Sequence, residues 1–248
     1  MNATALIIPS LAILAVSTAT AQVTFSGPGT ALGSSPADGA AISSVVVDNT
    51  PTTISFTINS TQAQASWIFY GIELQIVGQA GNGYTGFANP FGPAIGISTG
   101  VNSLIDTYGS GASTYTYNGG WTQTSSGAYA AGGTGLTYST ITVPLSSLGL
   151  SVGDTFHFDV VSTYTAQQNG GPQSAYGALA SSGYPAESDG SYTPWNGTSH
   201  YDSATDATST FSQNFTVYTV QAVPEPTVLT LCGLGGLLGI GRLVRRNG

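Results

Sequence analysis

The chain has 248 residues, of which three are basic and eleven are acidic, giving a formal net charge of −8 at pH 7. All three basic residues, Arg242, Arg245 and Arg246, lie near the C-terminus, and residues 1–241 contain neither Lys nor Arg. This distribution excludes electrostatic binding of nucleic acid or anionic lipid by residues 1–241, and it excludes Lys or Arg salt bridges among them. The single cysteine, Cys232, excludes an intrachain disulfide.

Residues 1–21 are predicted to form a signal peptide. Residues 5–16 are a mostly apolar run that is too short to span a bilayer as a helix. Ala19 and Ala21 supply the small–x–small pattern that signal peptidase reads, so we expect cleavage after Ala21. The residues before the run contain no Lys or Arg, which departs from the usual pattern of such peptides.

Residues 22–221 are predicted to form a β-domain, because apolar residues recur there at every second position. The strands are predicted at residues 52–59, 65–77, 136–143, 154–164 and 210–220, with shorter ones at 45–48 and near Val23. In 65–77 the core face begins at Ile68 and Tyr70, and the other face carries Glu73. In 210–220 the alternation places Val217 inward and Tyr218 outward.

The fold class predicted from this pattern is all-β: an antiparallel β-sandwich, jelly-roll-like, with seven to ten strands and long loops. A closed barrel is the alternative. Helical turns are expected only at residues 144–150 and 173–180. A signal helix and a C-terminal transmembrane helix are expected to flank the domain.

Two stretches, residues 78–135 and 167–208, are predicted to be loops, with weak strands at best near 101–108 and 113–121. The second stretch is rich in acidic and aromatic residues. Since loops of this length in a compact domain are usually functional or disordered, it is where a binding site is expected.

Calcium is the metal that the sequence favours, because Ca²⁺ needs oxygen ligands and no preset spacing. The candidate ligands are Glu187, Asp189, Asp202 and Asp206 with loop carbonyls. No other cofactor is expected. His157 and Asp159 share one face of a strand, but two ligands do not make a transition-metal site, and this pattern is more typical of a solvated sheet face.

Carbohydrate binding is a second hypothesis. Trp195 and Trp121 are the candidates for stacking on sugar rings, with packing inside the domain as the alternative fate of each ring. An enzyme is not expected: the chain has no Gly-x-Ser-x-Gly motif and no Cys/His pair in the domain. A glycan-processing hydrolase using Glu73 or Asp159 is the third hypothesis, and it requires two facing carboxylates in a cleft.

The C-terminal segment, residues 222–248, has three parts in a fixed order. Pro224, Glu225 and Pro226 come first, and an apolar, Gly-rich run follows at residues 227–241. Extended to residue 244, this run is just long enough for a short transmembrane helix. The basic tail, Arg242, Arg245 and Arg246, marks its cytoplasmic end by the positive-inside rule.

This arrangement resembles the PEP-CTERM sorting signal of Gram-negative bacteria. The resemblance covers residues 223–248 and does not assign the central domain to a family. It implies transient anchoring in the inner membrane, cleavage by an exosortase near Pro224–Pro226, and release to the cell envelope or the extracellular matrix. Proteins with this signal often accompany exopolysaccharide production, so the resemblance implies a structural or adhesive matrix protein with exopolysaccharide as a partner.

Overall fold

Antiparallel β-strands make up most of the structure. The computed structural model describes residues 21–27, 39–66, 68–79, 83–84, 100–108, 111–164, 177–179 and 216–222. These residues all belong to one unit, Ala21–Ala222.

Eleven strands are present in the described residues. In chain order they are β1 (Ala21–Ser26), β2 (Ile42–Asn49), β3 (Thr53–Ser60), β4 (Ile68–Ile76), β5 (Ser103–Tyr108), β6 (Gly111–Tyr117), β7 (Trp121–Gly132), β8 (Tyr138–Pro144), β9 (Thr155–Tyr164), β10 (Gly177–Ala178) and β11 (Thr216–Thr219). A 3₁₀ helix, Leu145–Leu148, follows β8 and buries Leu145 and Leu148.

The strands pair in the order β1-β2-β3-β8-β7-β6-β5-β4-β9-β10, and β11 pairs with β9 beside β10. Every strand pairing is antiparallel. The path folds over into two facing layers. We call β1, β2, β3 and β8 the first layer, and β4, β5, β6, β9, β10 and β11 the second layer.

Strand β7 carries the chain from one layer to the other. Its first part pairs with β6 and its last part pairs with β8. Two register shifts interrupt its pairing with β6, and Gly127 lies at one of them with φ +87°. A residue with a side chain rarely adopts this conformation, so glycine is required where the strand bends.

The core lies between the layers and is centred on aromatic rings. Phe56 of β3 contacts Phe158 of β9 with ring centroids 5.7 Å apart, and Phe25 of β1 contacts the same ring at 5.2 Å. Isoleucine, leucine and valine side chains from both layers surround these rings. Since each buried ring or branched side chain stabilises the fold by about 1.5–3 kcal/mol, this layer of contacts is the main source of stability.

The outer face of the first layer is a set of hydroxyl side chains. The hydroxyls of Ser55 and Thr142 lie 2.8 Å apart, and those of Thr57 and Thr140 lie 2.9 Å apart. Each pair bridges β3 and β8 at a register position. Each cross-strand pair of this kind stabilises the sheet by about 0.2–1 kcal/mol without a charged side chain.

Asn49, at the end of β2, ties the last strand to the first layer. Its side chain donates to the backbone oxygens of Thr50 and Gln221, and it accepts from the Tyr218 hydroxyl at 2.6 Å and the Gln221 backbone N–H at 3.0 Å. Burial, and then the charge of Asp48, raise the pKa of Tyr218 to about 12, so its hydroxyl remains a donor at neutral pH. All hydrogen-bonding positions of the buried amide are therefore used.

The predicted all-β, antiparallel, sandwich-like architecture is confirmed, and the helical turn predicted at residues 144–150 is present as the 3₁₀ helix. The core faces predicted for β4 and β9 are also confirmed. The strand count exceeds the predicted seven to ten, because β10 is too short to leave a pattern in the sequence. The finer jelly-roll-like description stays a prediction.

Three predictions about the domain were wrong. Residues 78–135, predicted to be a loop with weak strands at best near 101–108 and 113–121, contain β5, β6 and all of β7. Their Ser, Thr and Tyr side chains pair across strands without an apolar alternation. The turn expected at 173–180 is replaced at Gly177–Ala178 by β10. In β11 the faces are reversed: Tyr218 is buried and Val217 is 49% exposed, since the Tyr218 hydroxyl reaches Asn49.

The two predicted terminal segments, residues 1–21 and 222–248, lie outside the described residues except for Ala21 and Ala222. Within the ranges that the structure describes, no helix is long and apolar enough to cross a membrane.

Replacing Asn49 is expected to destabilise the domain strongly. Asn49→Ala leaves the Tyr218 hydroxyl and the Gln221 N–H without their acceptor, which costs about 3 kcal/mol in the free energy of unfolding. The measurement is urea unfolding followed by tryptophan fluorescence. The control is Asn118→Ala in an exposed turn, expected to change stability by less than about 0.5 kcal/mol. Equal effects of the two substitutions would contradict the role given to Asn49.

Candidate functional site

Most of the site residues predicted from the sequence lie outside the described residues. These are Ala19, the sorting motif Pro224, Glu225 and Pro226, the basic tail Arg242, Arg245 and Arg246, the calcium candidates Glu187, Asp189, Asp202 and Asp206, and Trp195. Ala21 and Trp121 are described, as are the hydrolase candidates Glu73 and Asp159. Ala21 is the first residue of β1 and is the register partner of Asn49, so the predicted cleavage point falls between the first two residues of β1.

Trp121 lies in a cluster of three aromatic rings at one end of the second layer. It begins β7, directly after the turn that follows Tyr117 of β6, and the two rings meet with centroids 5.2 Å apart. Tyr84 completes the cluster, 5.4 Å from the Tyr117 ring and 5.9 Å from the Trp121 ring. We call these three residues the aromatic cluster.

Backbone hydrogen bonds hold the aromatic cluster in place. The Tyr84 N–H donates to the Val101 oxygen, and the Tyr84 oxygen accepts from the Gly100 N–H, so Tyr84 is fixed beside the start of β5. Tyr117 and Trp121 are register partners across the hairpin, and both are half-buried. Tyr117 and Trp121 thus keep part of their ring surface open to solvent, as stacking on a sugar would require, while Tyr84 is buried beneath them at 5% exposure.

Three carboxylates lie on the face of the second layer that points away from the core. Glu73 of β4 is the register partner of Asp159 of β9, and Asp106 of β5 is the register partner of Gly71. Side chains directly opposite in an antiparallel pair have their Cβ atoms about 4.5–5.5 Å apart, and diagonal neighbours lie about 7–8 Å apart. We call Glu73, Asp106 and Asp159 the carboxyl cluster.

The carboxyl cluster is buried, which corrects the prediction that His157 and Asp159 lie on a solvated face. Glu73 and Asp159 have no exposed surface, and Asp106 is 2% exposed. Leu104 and Val161 on the same face are also buried. His157, the register partner of Gln75, is only half-buried, so the solvated interpretation fails for Asp159 alone.

Burial changes the protonation chemistry of the carboxyl cluster. It raises the pKa of Asp106 well above its ordinary value of 3.8, because the charged form loses its hydration. The described residues contain no Lys or Arg that would favour the charged form.

The carboxyl cluster does not have the geometry of a metal centre. Among the residues that the structure describes, no group of three His, Cys, Asp or Glu side chains is arranged to hold a metal ion. The hydrolase hypothesis requires two facing carboxylates in a cleft. Glu73 and Asp159 face each other across a register pair, but without exposed surface they cannot contact a glycan in this conformation.

One feature of the sequence indicates this buried face. On β4 the face that holds Glu73 also holds Phe69, so a solvated face was not the simplest interpretation of that strand. The position of Asp106 beside Glu73 could not be found in this way, because it depends on the pairing of β4 with β5 across residues predicted to be a loop.

No family model matches the chain, and searches of curated proteins and of solved structures find no match either.

If the aromatic cluster binds sugar, Trp121→Ala is expected to weaken the affinity for a neutral polysaccharide by about fivefold, because a ring contact is worth about 1 kcal/mol. The measurement is the retardation of the chain in a native gel that contains the polysaccharide. Trp121→Phe should retain part of the binding. The matched control is Tyr138→Ala, which removes a 42% exposed aromatic ring from the first layer. Equal retention of Trp121→Ala and the unmodified chain would contradict binding at this cluster.

Proposed function

We propose that this chain is an exported, non-enzymatic protein of the cell surface or extracellular matrix, sorted by an exosortase. The observation that carries the proposal is the order of the C-terminal segment: Pro224-Glu225-Pro226, an apolar run, and the only basic residues of the chain. Signal peptidase and exosortase are the processing enzymes in this proposal. The inner membrane holds the chain only transiently.

The position of the domain relative to the sorting motif supports the proposal. The last described residue is Ala222, and Gln221 before it is bonded to Asn49. Pro224 follows two positions later, so the motif begins directly after the folded unit. Proline disfavours helix at its own position and at the one before it, so the motif's sequence suits access by a processing enzyme.

The surface chemistry of the domain supports a structural or adhesive role in a polysaccharide matrix. Paired Ser and Thr hydroxyls cover the outer face of β3 and β8. Residues 1–241 have no Lys or Arg and carry acidic side chains, so acidic polymers would be repelled rather than bound. Uncharged exopolysaccharide is therefore the partner that fits best. Within this proposal the domain is a jelly-roll-like sandwich.

A second candidate function is a carbohydrate-binding module, and the aromatic cluster is the observation that favours it. Tyr117 and Trp121 provide two partly exposed rings on a β-sandwich, and both contact the buried ring of Tyr84. In this alternative, residues 167–208, with Trp195 and the four calcium candidates, add further contacts.

The sorting proposal is tested by intact mass and cell fractionation in a Gram-negative host that contains an exosortase. The unmodified chain is expected outside the cell after losing mass at both ends. Replacing Pro224, Glu225 and Pro226 together by Ala should leave a membrane-bound chain that keeps its C-terminal segment. This is expected because the enzyme reads the motif while the apolar run holds the chain in the membrane.

The matched control removes a proline and a glutamate elsewhere in the chain, by Pro185→Ala with Glu187→Ala, and should be processed normally. A full-length unmodified chain that stays in the membrane would identify a plain tail anchor. Normal processing of the triple-alanine variant would also overturn the proposal.

A further inference from the structure

Strand β1 forms an edge of the first layer. Among the residues that the structure describes, β1 pairs with β2 and with no other strand. The side chains of Gln22, Thr24 and Ser26 are exposed. Proteins usually protect such an edge with a charged side chain, a proline or a β-bulge. The sequence of β1, AQVTFS, contains neither a charge nor a proline, and its register with β2 is uninterrupted, so the edge is open to another strand.

One hydrogen bond defines which backbone groups point to this open edge. The Gly27 N–H donates to the Ser43 oxygen at 2.8 Å, and the register of β1 with β2 places these two residues opposite each other. In an antiparallel ladder, hydrogen-bonded pairs alternate with pairs whose N–H and C=O groups point away from each other. The N–H and C=O groups of every second residue, Gln22, Thr24 and Ser26, therefore point to the open edge.

Strand β1 is complementary to a second copy of itself. An antiparallel pairing centred on Thr24 places Thr24 opposite the partner's Thr24 and Gln22 opposite the partner's Ser26, so that all the open backbone groups are hydrogen-bonded. The same register places Val23 opposite the partner's Phe25. Val23 is 38% exposed in the single chain, and pairs of an aromatic with a β-branched side chain stabilise a sheet. Since β1 carries no charged side chain, two copies of it do not repel each other.

We propose that two copies of this chain associate through β1, so that their first layers become one continuous antiparallel sheet. Because the contact is one strand of 6 residues, the dimer dissociates on dilution. This pairing goes beyond the sorting proposal and does not depend on it. Cleavage after Ala21 would leave Gln22, Thr24 and Ser26 in the mature chain, so the precursor and the processed form both keep the open edge.

The first test is sedimentation of the full chain in a non-ionic detergent at concentrations up to about 1 mM. The unmodified chain is expected to shift from monomer to dimer as the concentration rises. Thr24→Pro should weaken the association at least about tenfold, because proline lacks the N–H that Thr24 would donate to its partner. Proline is tolerated in an edge strand where the N–H points to solvent, so the domain should stay folded.

The matched control is Thr24→Val, which keeps the N–H and the branched shape and should associate as the unmodified chain does. An unmodified chain that stays monomeric throughout would overturn the proposal. Equal association of Thr24→Pro and Thr24→Val would also overturn it.

Cross-linking separates pairing at β1 from association through the apolar run at residues 227–241. In a Cys232→Ser background, one chain carries Gln22→Cys and a second carries Ser26→Cys. A short bismaleimide should link the mixture faster than either chain alone, because the pairing places residue 22 of one copy opposite residue 26 of the other. Thr122→Cys, at an exposed position of β7, is the control and should link slowly. Equal rates in the mixture and in the separate chains would contradict the proposed register and overturn the pairing.

Discussion

The absence of Lys and Arg from residues 1–241 is the constraint on which the rest of the structure depends. No Lys or Arg ion pair can hold these strands together, so the layers are joined by apolar burial, by aromatic contacts such as Phe56 with Phe158, and by neutral hydrogen bonds. The same constraint means that Glu73, Asp106 and Asp159 are buried in a set of described residues that contains no Lys or Arg. The uncharged hydroxyl face and the carboxyl cluster are thus two results of one feature of composition.

The layers have correspondingly different chemistry on their outer faces. The first layer presents small hydroxyl groups that satisfy one another across β3 and β8 and remain open to solvent. The second layer buries part of its outer face, with Glu73 and Asp159 opposite each other, while Val217 on the same face is 49% exposed. In the proposed function, a neutral matrix polymer contacts the outer face of the first layer.

The alternation of apolar and polar residues along single strands was enough to predict the fold class. It also predicted the core faces of β4 and β9, because the side chains of a strand that point to the core recur at every second position. Alternation predicted only weak strands where polar residues pair with polar residues, as in β5 and β6. It also assigned the wrong faces to β11, where Tyr218 is buried because its hydroxyl donates to Asn49. The carboxyl cluster depends on which strands are neighbours, and that information is distributed over distant parts of the chain.

The bond between Asn49 and Gln221 joins residues that are 172 positions apart. If the chain crosses the membrane N-terminus first, β2 and β3 reach the outer side long before β11 can lie beside β9. Contacts of such long range are made late and slowly in folding. The core faces of the early strands would stay uncovered through most of translocation, so a chaperone on the far side of the membrane would have to shield them until the final residues emerge.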